Sequence, residues 1–437
     1  GRSAPQQPAR PALAGLLLLT LAFFTWQAQN LHVDMAFAAT QGVAVLAYLH
    51  SWQCRGRAAW GLRLLAALGF GLAILAKGPI GLLLPGLVLT VWHCWRRHWL
   101  GLPVLALVGL LALLPAAGWY FGLVDRLGGD YVWRTWYAQN FARFSGASPS
   151  HVKPWWYYLE RIWADWLPWS LVVPVATWAA WRQRQDPERL AMLLWLGISL
   201  VFLSITSSKR EVYLLPAYPA VALLLWYWLP SASQRQLDRR LLAAVAWLLV
   251  GLSGILFLAG ASAPFWADAL RAPGDQIAGS VWPVALLGGS LFLATGLLAL
   301  RQGSQQPVRC AWYLGFGFAV SLLVVGGGAL PMIDQTKTYQ PHHRAIVRLL
   351  GPAGELGYFS PGMGQKQAGF TIYSDQLKAV ATLEDEAALA EHLADQANVA
   401  VLRVGKDWQP RIDTAPWVER YRFQAGSARY RVIGRTP

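Results

Sequence analysis

Runs of apolar residues, many close to the length that crosses about 30 Å of hydrocarbon, recur from residue 12 to residue 330. They lie near 12–28, 35–50, 59–76, 79–95, 102–124, 166–181, 190–206, 212–229, 241–260, 281–300 and 311–330. The pattern predicts an all-α polytopic membrane bundle of about eleven transmembrane helices. Several runs fall short of about 20 residues, which points to helices that are buried in the bundle or broken. Between Leu64 and Trp92 the apolar pattern is interrupted only by Lys77-Gly78-Pro79. Gly-Pro behind a charge is a turn signal, so two helices are expected there. Pro216 and Pro219 predict a break in the run that begins at 212.

The pattern changes twice. Residues 125–165 read as a long loop whose aromatic run Trp155-Trp156-Tyr157-Tyr158, followed by Trp163, Trp166 and Trp169, has helical spacing. An amphipathic helix lying in the membrane interface is expected. After residue 330 the periodicity becomes mixed. Glu355–Phe359, Ala379–Thr382 and Val399–Val404 read as strands, Glu384–Ala397 as a helix with acidic residues in its first turn, and the last thirty residues as alternating strands. The expected organisation is a transmembrane domain over 1–330 and a small α/β domain over 331–437.

Composition sharpens this reading. Hydrophobic residues make up 55 % and charged residues 14 %, which excludes both a single soluble core and a disordered chain. The 25 tryptophans suit a chain with many membrane–water boundaries. A net charge of +15 alone would suggest nucleic acid. The charge sits instead in short arginine clusters between apolar runs, without the basic and aromatic interleaving of a nucleic-acid platform, so no nucleic-acid partner is expected.

The charge also orients the chain. With a turn at Lys77, one side of the membrane receives thirteen basic and three acidic loop residues, among them Arg55, Arg96, Arg182, Arg235 and Arg301. The loops of the other side carry nine basic and eight acidic residues. The positive-inside rule makes the arginine side cytoplasmic and places the C-terminal domain outside the cytoplasm. Cys54, Cys94 and Cys310 fall near the reducing side, lack metal-ligand spacing and are expected to be free thiols.

Candidate chemistry collects on the outward side. His32 and Asp34 lie between the first two runs, Lys77 in the hairpin, and Arg143 in Gln139-Asn140-Phe141-Ala142-Arg143-Phe144. Lys209 and Arg210 lie in Ser207-Ser208-Lys209-Arg210-Glu211-Val212-Tyr213. Taken singly, Lys77 reads equally well as a snorkelling side chain or a functional one, and Arg143 reads better as a solvated loop charge. As a set, bordered by Tyr157, Tyr158 and Tyr213, they suit a lipid-anchored phosphate, whose oxygens lysine and arginine stabilise. His342-His343 is expected to be solvated surface rather than a metal pair, and Gly326-Gly327-Gly328 to serve close helix packing. P-loop, dinucleotide and nucleophile-elbow motifs are absent.

In this order, Asp34, the Lys-Gly-Pro hairpin, Asn140-Phe141-Ala142-Arg143-Phe144, Pro154-Trp155-Trp156-Tyr157-Tyr158, Leu167-Pro168-Trp169 and Ser208-Lys209 followed by Tyr213-Leu214-Leu215-Pro216 form a pattern. It resembles the bacterial polyprenyl-phosphate-sugar glycosyltransferases of the GT-C class, closest to the lipid A aminoarabinose transferases, relatives of protein O-mannosyltransferases. The resemblance implies transfer of a sugar, an amino sugar such as 4-amino-4-deoxy-arabinose, from undecaprenyl phosphate to lipid A at the periplasmic face. It implies phosphate binding by Lys77, Arg143, Lys209 and Arg210 beside Tyr213, Tyr157 and Tyr158, with Asp34 as a cavity carboxylate that orients a cation or the sugar. Gln139-Asn140 stand where some relatives have Glu-His, so no metal and no cofactor is expected. The family's catalytic carboxylate is expected on an outward loop between about two further spans that precede residue 12 in relatives, which leaves no catalytic base assigned here. Transfer to protein or polysaccharide, a transporter or lipid flippase, and an envelope scaffold are the alternatives. A transporter would show internal repeats and paired interrupted helices, which the pattern lacks.

Overall fold

The computed structural model describes residues 10–30, 32–145, 152–266, 274–302, 306–337, 339–350, 354–359, 380–383, 385–404, 417–425 and 428–435. The chain divides into two compact units, Gly1–Phe265 with Ala278–Gly326, and Trp266–Ile277 with Gly327–Pro437.

The first unit is helical throughout its described residues. Its helices are α1 (Arg10–Leu19), α2 (Ala22–Ala28), α3 (Val33–Ser51), α4 (Gly56–Lys77), α5 (Ile80–Trp95), α6 (Gly101–Leu127) and α7 (Gly129–Ser145). They continue with α8 (Tyr157–Asp165), α9 (Val173–Arg182), α10 (Pro187–Ile205), a 3₁₀ turn (Glu211–Ala217) running into α11 (Tyr218–Trp228), α12 (Gln236–Trp266), α13 (Gly274–Gln302) and α14 (Pro307–Lys337). Every apolar run of the sequence is therefore helical over all or part of its length, the run at 166–181 only from Val173 onward. Among the described residues, seven helices are long and apolar enough to cross a membrane: Gly56–Lys77, Gly101–Leu127, Pro187–Ile205, Glu211–Ser231, Gln236–Ser262, Trp282–Gln302 and Pro307–Gly328. The other four runs form shorter or more polar helices. The first is broken into α1 and α2, α3 carries Asp34, Gln41 and His50, α5 has 16 residues, and α9 has 10.

Two local causes shape this unit. At the break between α1 and α2, the Ala22 N–H donates to the Leu167 carbonyl at 2.8 Å, and Trp169 Nε1 donates to Thr20 Oγ1 at 2.7 Å. The turn at 166–172 thus inserts into the first run and satisfies the backbone that the break frees, as an apolar medium requires. At Gly69, an added Cβ would come within 2.9 Å of the Ala44 Cβ and the Thr40 carbonyl, so the missing side chain lets α4 lie flush on α3. Gly326 likewise packs against Gln29, whereas Gly327 faces open space.

The described residues of the 125–165 segment are largely helical rather than a loop. α6 runs to Leu127, Gly128 takes φ 82 and ends it, and α7 starts with Asp130 in its first turn, where a carboxylate complements the helix dipole. Polarity of the segment had suggested a loop, but a helix without an apolar stripe can be polar all round. The helix expected from the aromatic run is α8, and it is amphipathic. Trp155, Trp156, Leu159 and Trp163 are exposed, and Tyr158, Asp165 and Trp166 are buried on the other side.

The second unit holds a five-stranded sheet of β1 (Leu356–Phe359), β2 (Ala381–Leu383), β3 (Val399–Val404), β4 (Trp417–Ala425) and β5 (Ala428–Arg435), in the order β2-β1-β3-β5-β4. β1 pairs in parallel with β2 and β3, while β5 runs antiparallel to β3 and β4, with Val401 opposite Val432. Alternation sorts the core. Val399, Val401 and Val432 pack with Ile346 of α15 (Gln340–Leu349). Ala400, Leu402 and Ile433 pack with Leu389 of α16 (Glu386–His392) and with Leu393. α16 is shorter than its apolar pattern predicts. His342 and His343 are not solvated: His342 stacks on Phe423 with ring centroids 4.5 Å apart and its Nδ1 lies 3.0 Å from the Tyr421 hydroxyl, and His343 is buried. An amphipathic helix beginning at Gln340 turns that face onto the sheet.

Candidate functional site

The site begins with two helix ends. Gly78 takes φ 76, a left-handed conformation that glycine tolerates, and Pro79 follows, so α4 stops at Lys77. Lys77 therefore occupies the last turn of α4, and Asp34 the first turn of α3. Each charge sits at the dipole end that favours it. Because α3 and α4 are antiparallel neighbours, the two meet: Lys77 Nζ forms an ion pair with Asp34 Oδ1. The ammonium lies 4.3 Å from the ring centroid of Tyr213 and 5.1 Å from that of Phe37, within cation–π range. The side chains of Lys77 and Asp34 are 25 % and 15 % exposed, so the pair is open on one side.

The segment 206–213 closes a second edge. Ser208 bridges Val152, and the Lys153 N–H donates to the Ser207 carbonyl at 3.4 Å. Lys209 is only 3 % exposed; its ammonium donates to the carbonyls of Thr206 and of Lys153, the latter at 3.1 Å. Burial pushes this ammonium below the usual lysine range. Two of its three N–H donors are used by backbone, leaving one for an anion. Arg210 has an exposed side chain, and its carbonyl accepts from the Tyr158 hydroxyl at 3.1 Å. Its charge is within electrostatic reach of both Lys77 and Glu211. The Tyr157 hydroxyl donates to Glu211 Oε2 at 2.9 Å, and burial together with this carboxylate pushes the phenol up to about 12.

Of the sequence-predicted residues, the fold brings together Asp34, Lys77 and Tyr213, and ties Arg210, Tyr157 and Tyr158 to the same 210–213 segment. Lys209 is held in the turn beneath that segment. Arg143 lies on α7, but its side chain, like those of Gln139 and Asn140, is outside the described residues. His32 is exposed at the N-cap of α3. Three residues were not singled out from the sequence: Glu211, Arg161 and Asp165. The signal for the last two was present as an i,i+4 charge pair on α8, and Arg161 does donate to Asp165 at 2.8 Å. Among the described residues no group of three His, Cys, Asp or Glu side chains is placed to hold a metal ion.

Asp165 makes a pH test. Burial raises its carboxyl to about 6 against the opposing pull of Arg161. The folded state therefore holds this proton more tightly than the unfolded state, and the group subtracts stability as pH rises from about 4 to about 6. Asp165→Asn is expected to flatten that part of the stability profile by about 2–3 kcal/mol relative to the parent chain. Thermal unfolding in detergent at pH 4 and pH 7 checks it; equal pH slopes in the two proteins would refute the assignment.

The arrangement offers a cation that is only partly neutralised, an exposed guanidinium and aromatic walls at one end of a helix bundle. Such a combination of groups is chemically able to bind phosphate oxygens and to stabilise negative charge on a departing phosphate.

Comparison with known proteins bears out the resemblance read from the motif order. No family model matches the chain. It is 31 % identical over 228 residues to the undecaprenyl phosphate-alpha-4-amino-4-deoxy-L-arabinose arabinosyl transferase of Pseudomonas aeruginosa, covering 50 % of this chain and 40 % of that protein. It is 30 % identical over 300 residues to the transferase of the same name from Pectobacterium carotovorum, covering 67 % of this chain and 51 % of that protein. The chain thus spans about half the length of the curated relatives it matches. The crystal structure of ArnT from Cupriavidus metallidurans bound to undecaprenyl phosphate matches with a TM-score of 0.68 and 21 % identity, over 97 % of this chain and 79 % of that one. The fold is that of a polytopic membrane protein of this kind.

Proposed function

We propose that the protein is an inner-membrane glycosyltransferase that moves an amino sugar from undecaprenyl phosphate to a phosphate of lipid A at the periplasmic face. The observation that carries this reading is the Asp34–Lys77–Tyr213 constellation at the junction of α3, α4 and the 3₁₀ turn. The names of the relatives, and the undecaprenyl phosphate named with the similar solved structure, supply the substrate class.

In this reading Lys77 binds the donor phosphate, with Arg210 at the entrance and the spare N–H of Lys209 beneath. Asp34 aligns the ammonium rather than acting on the sugar directly. An acceptor phosphate oxygen attacks the anomeric carbon, the bond from that carbon to the donor phosphate breaks, and undecaprenyl phosphate leaves with the electron pair. The negative charge that develops on the leaving phosphate falls on Lys77. An acceptor that is already an anion needs little proton removal, so no general base is assigned. No metal or cofactor enters this scheme.

Mass spectrometry of lipid A from cells with and without the full-length gene tests the reaction. A mass increase matching a pentosamine on phosphate is expected only with the gene. Unchanged lipid A alongside altered protein or polysaccharide glycans would move the acceptor elsewhere.

The same reading places α8 and the C-terminal α/β domain in the periplasm, supported by the arginine-rich loops on the opposite side. In a chain whose three native cysteines are replaced by alanine, an impermeant thiol reagent is expected to label Lys153→Cys in intact inner-membrane vesicles of right-side-out orientation. Gln234→Cys should react only after permeabilisation. The reverse pattern would invert the topology and the site with it.

A further inference from the structure

The α3–α4 hairpin has a second polar end, remote from Lys77 by the length of α4, whose 22 residues span about 33 Å. There a cavity of about 450 Å³ opens between α3, α5, α10 and α11. Its wall includes the buried side chains of Trp92 and Met192 together with Leu49 and Leu223, and the exposed Leu46 continues the apolar surface outward along α3. Its mouth carries Arg96, Asp186 and Glu188, all exposed. Apolar depth with a charged, open mouth at the end of a membrane bundle is the profile of a lipid head-group site.

The charges are built in but not neutralised. Both oxygens of Glu188 are engaged by neutral donors, Oε1 by Gln53 Nε2 at 2.6 Å and Oε2 by the Tyr227 hydroxyl at 2.5 Å. Asp186 caps α10, accepting from the N–H groups of Glu188 at 2.9 Å and Arg189 at 3.1 Å. Arg96 lies over the Trp92 ring, 5.0 Å from its centroid. Arg189 stacks on the ring of Tyr227 and does not line the cavity. Among the described residues, neither Asp186, Glu188 nor Arg96 takes part in an ion pair.

Two carboxylates face one guanidinium. A purely anionic head group would meet a net repulsive mouth, and a purely cationic one would leave Arg96 unused. A head group with both charges satisfies both. A primary ammonium is favoured over a quaternary one because the lone pairs left on the Glu188 oxygens can still accept hydrogen bonds.

We propose that this cavity binds a phosphoethanolamine head group, with the ammonium on Glu188 and Asp186 beside Tyr227 and the phosphate on Arg96. The site is independent of sugar transfer and lies at the opposite end of the hairpin from Lys77. Its occupant bridges α10 and α11 to α3 and α5.

The test is native mass spectrometry of the full-length protein in detergent, titrated with phosphatidylethanolamine, phosphatidylglycerol and soluble phosphoethanolamine. The parent protein is expected to retain one phosphatidylethanolamine about ten-fold more tightly than phosphatidylglycerol, the size of one lost charge-assisted contact. Glu188→Gln and Arg96→Gln are each expected to weaken that retention by about ten-fold. Displacement of the lipid by soluble phosphoethanolamine supports recognition through the head group alone; retention against it supports a contribution from the acyl chain along Leu46. Equal retention of the two lipids by the parent protein overturns the proposal even if a variant fails to fold. So does unchanged retention in both variants when their melting matches the parent.

Discussion

Lys77→Ala is expected to lower sugar transfer by about one to two decades, the worth of a charge-assisted contact of roughly 1.5–3 kcal/mol to a phosphate. The substitution removes the ammonium that faces Tyr213 and Asp34, and it also leaves the half-buried Asp34 carboxylate without its partner. Those two consequences separate in a double variant. Asp34→Ala combined with Lys77→Ala removes the stranded charge, so it is expected to recover most of the lost stability and none of the transfer. Asp34→Ala alone keeps the ammonium but frees it to swing, and a smaller loss of transfer is expected. The measurements are the rate of sugar transfer to lipid A in membranes of the full-length protein and the melting temperature in detergent. Transfer at the parent rate in Lys77→Ala would return this lysine to the role of an interfacial side chain that snorkels to water.

Trp169→Ala carries the largest expected cost to the fold, about 3–5 kcal/mol, the range for truncating a large aromatic in a core. Trp169 is fully buried, and its indole N–H closes the break between α1 and α2 through Thr20. Truncation empties that volume and removes the donor to the Thr20 hydroxyl, which keeps its own bond to the Leu17 carbonyl. Trp169→Phe keeps most of the bulk and loses the N–H, so about 1 kcal/mol is expected. Loss of the monodisperse species and a lowered melting temperature for Trp169→Ala, with Trp169→Phe close to the parent, would establish that packing dominates over the hydrogen bond. Equal effects of the two would reverse that order.

How much of this molecule can be read from its residues in order depends on the range of the physics. Each of the eleven apolar runs is helical over all or part of its length, because a stretch of apolar side chains in lipid must satisfy its own backbone hydrogen bonds locally. The turn at Gly78-Pro79 and the 3₁₀ turn at Pro216 are equally local, and so are the alternating strands of the C-terminal unit. The motifs that carry the family resemblance are short and ordered along the chain, so the set of residues around Lys77 and Tyr213 was visible before any contact was known.

Other features depended on residues far apart. Whether Asp34 serves a cation or a sugar was open in the sequence; the packing of α3 on α4 pairs it with Lys77, 43 residues away. Lys209 looked like a ligand-facing cation, yet the bridge between Val152 and Ser208 draws it inward onto two carbonyls. The first apolar run breaks where a turn far along the chain supplies a partner for its backbone, as the bond from the Ala22 N–H to the Leu167 carbonyl records. The histidine at 342 lies against a sheet whose contacting strand begins only at Trp417. Hydrophobic periodicity dictates which segments become helices and strands, since each such choice involves a few neighbouring residues. Which charges are neutralised, which are buried and which remain for a ligand follows from three-dimensional packing, because electrostatic and desolvation energies depend on distance in space rather than along the chain.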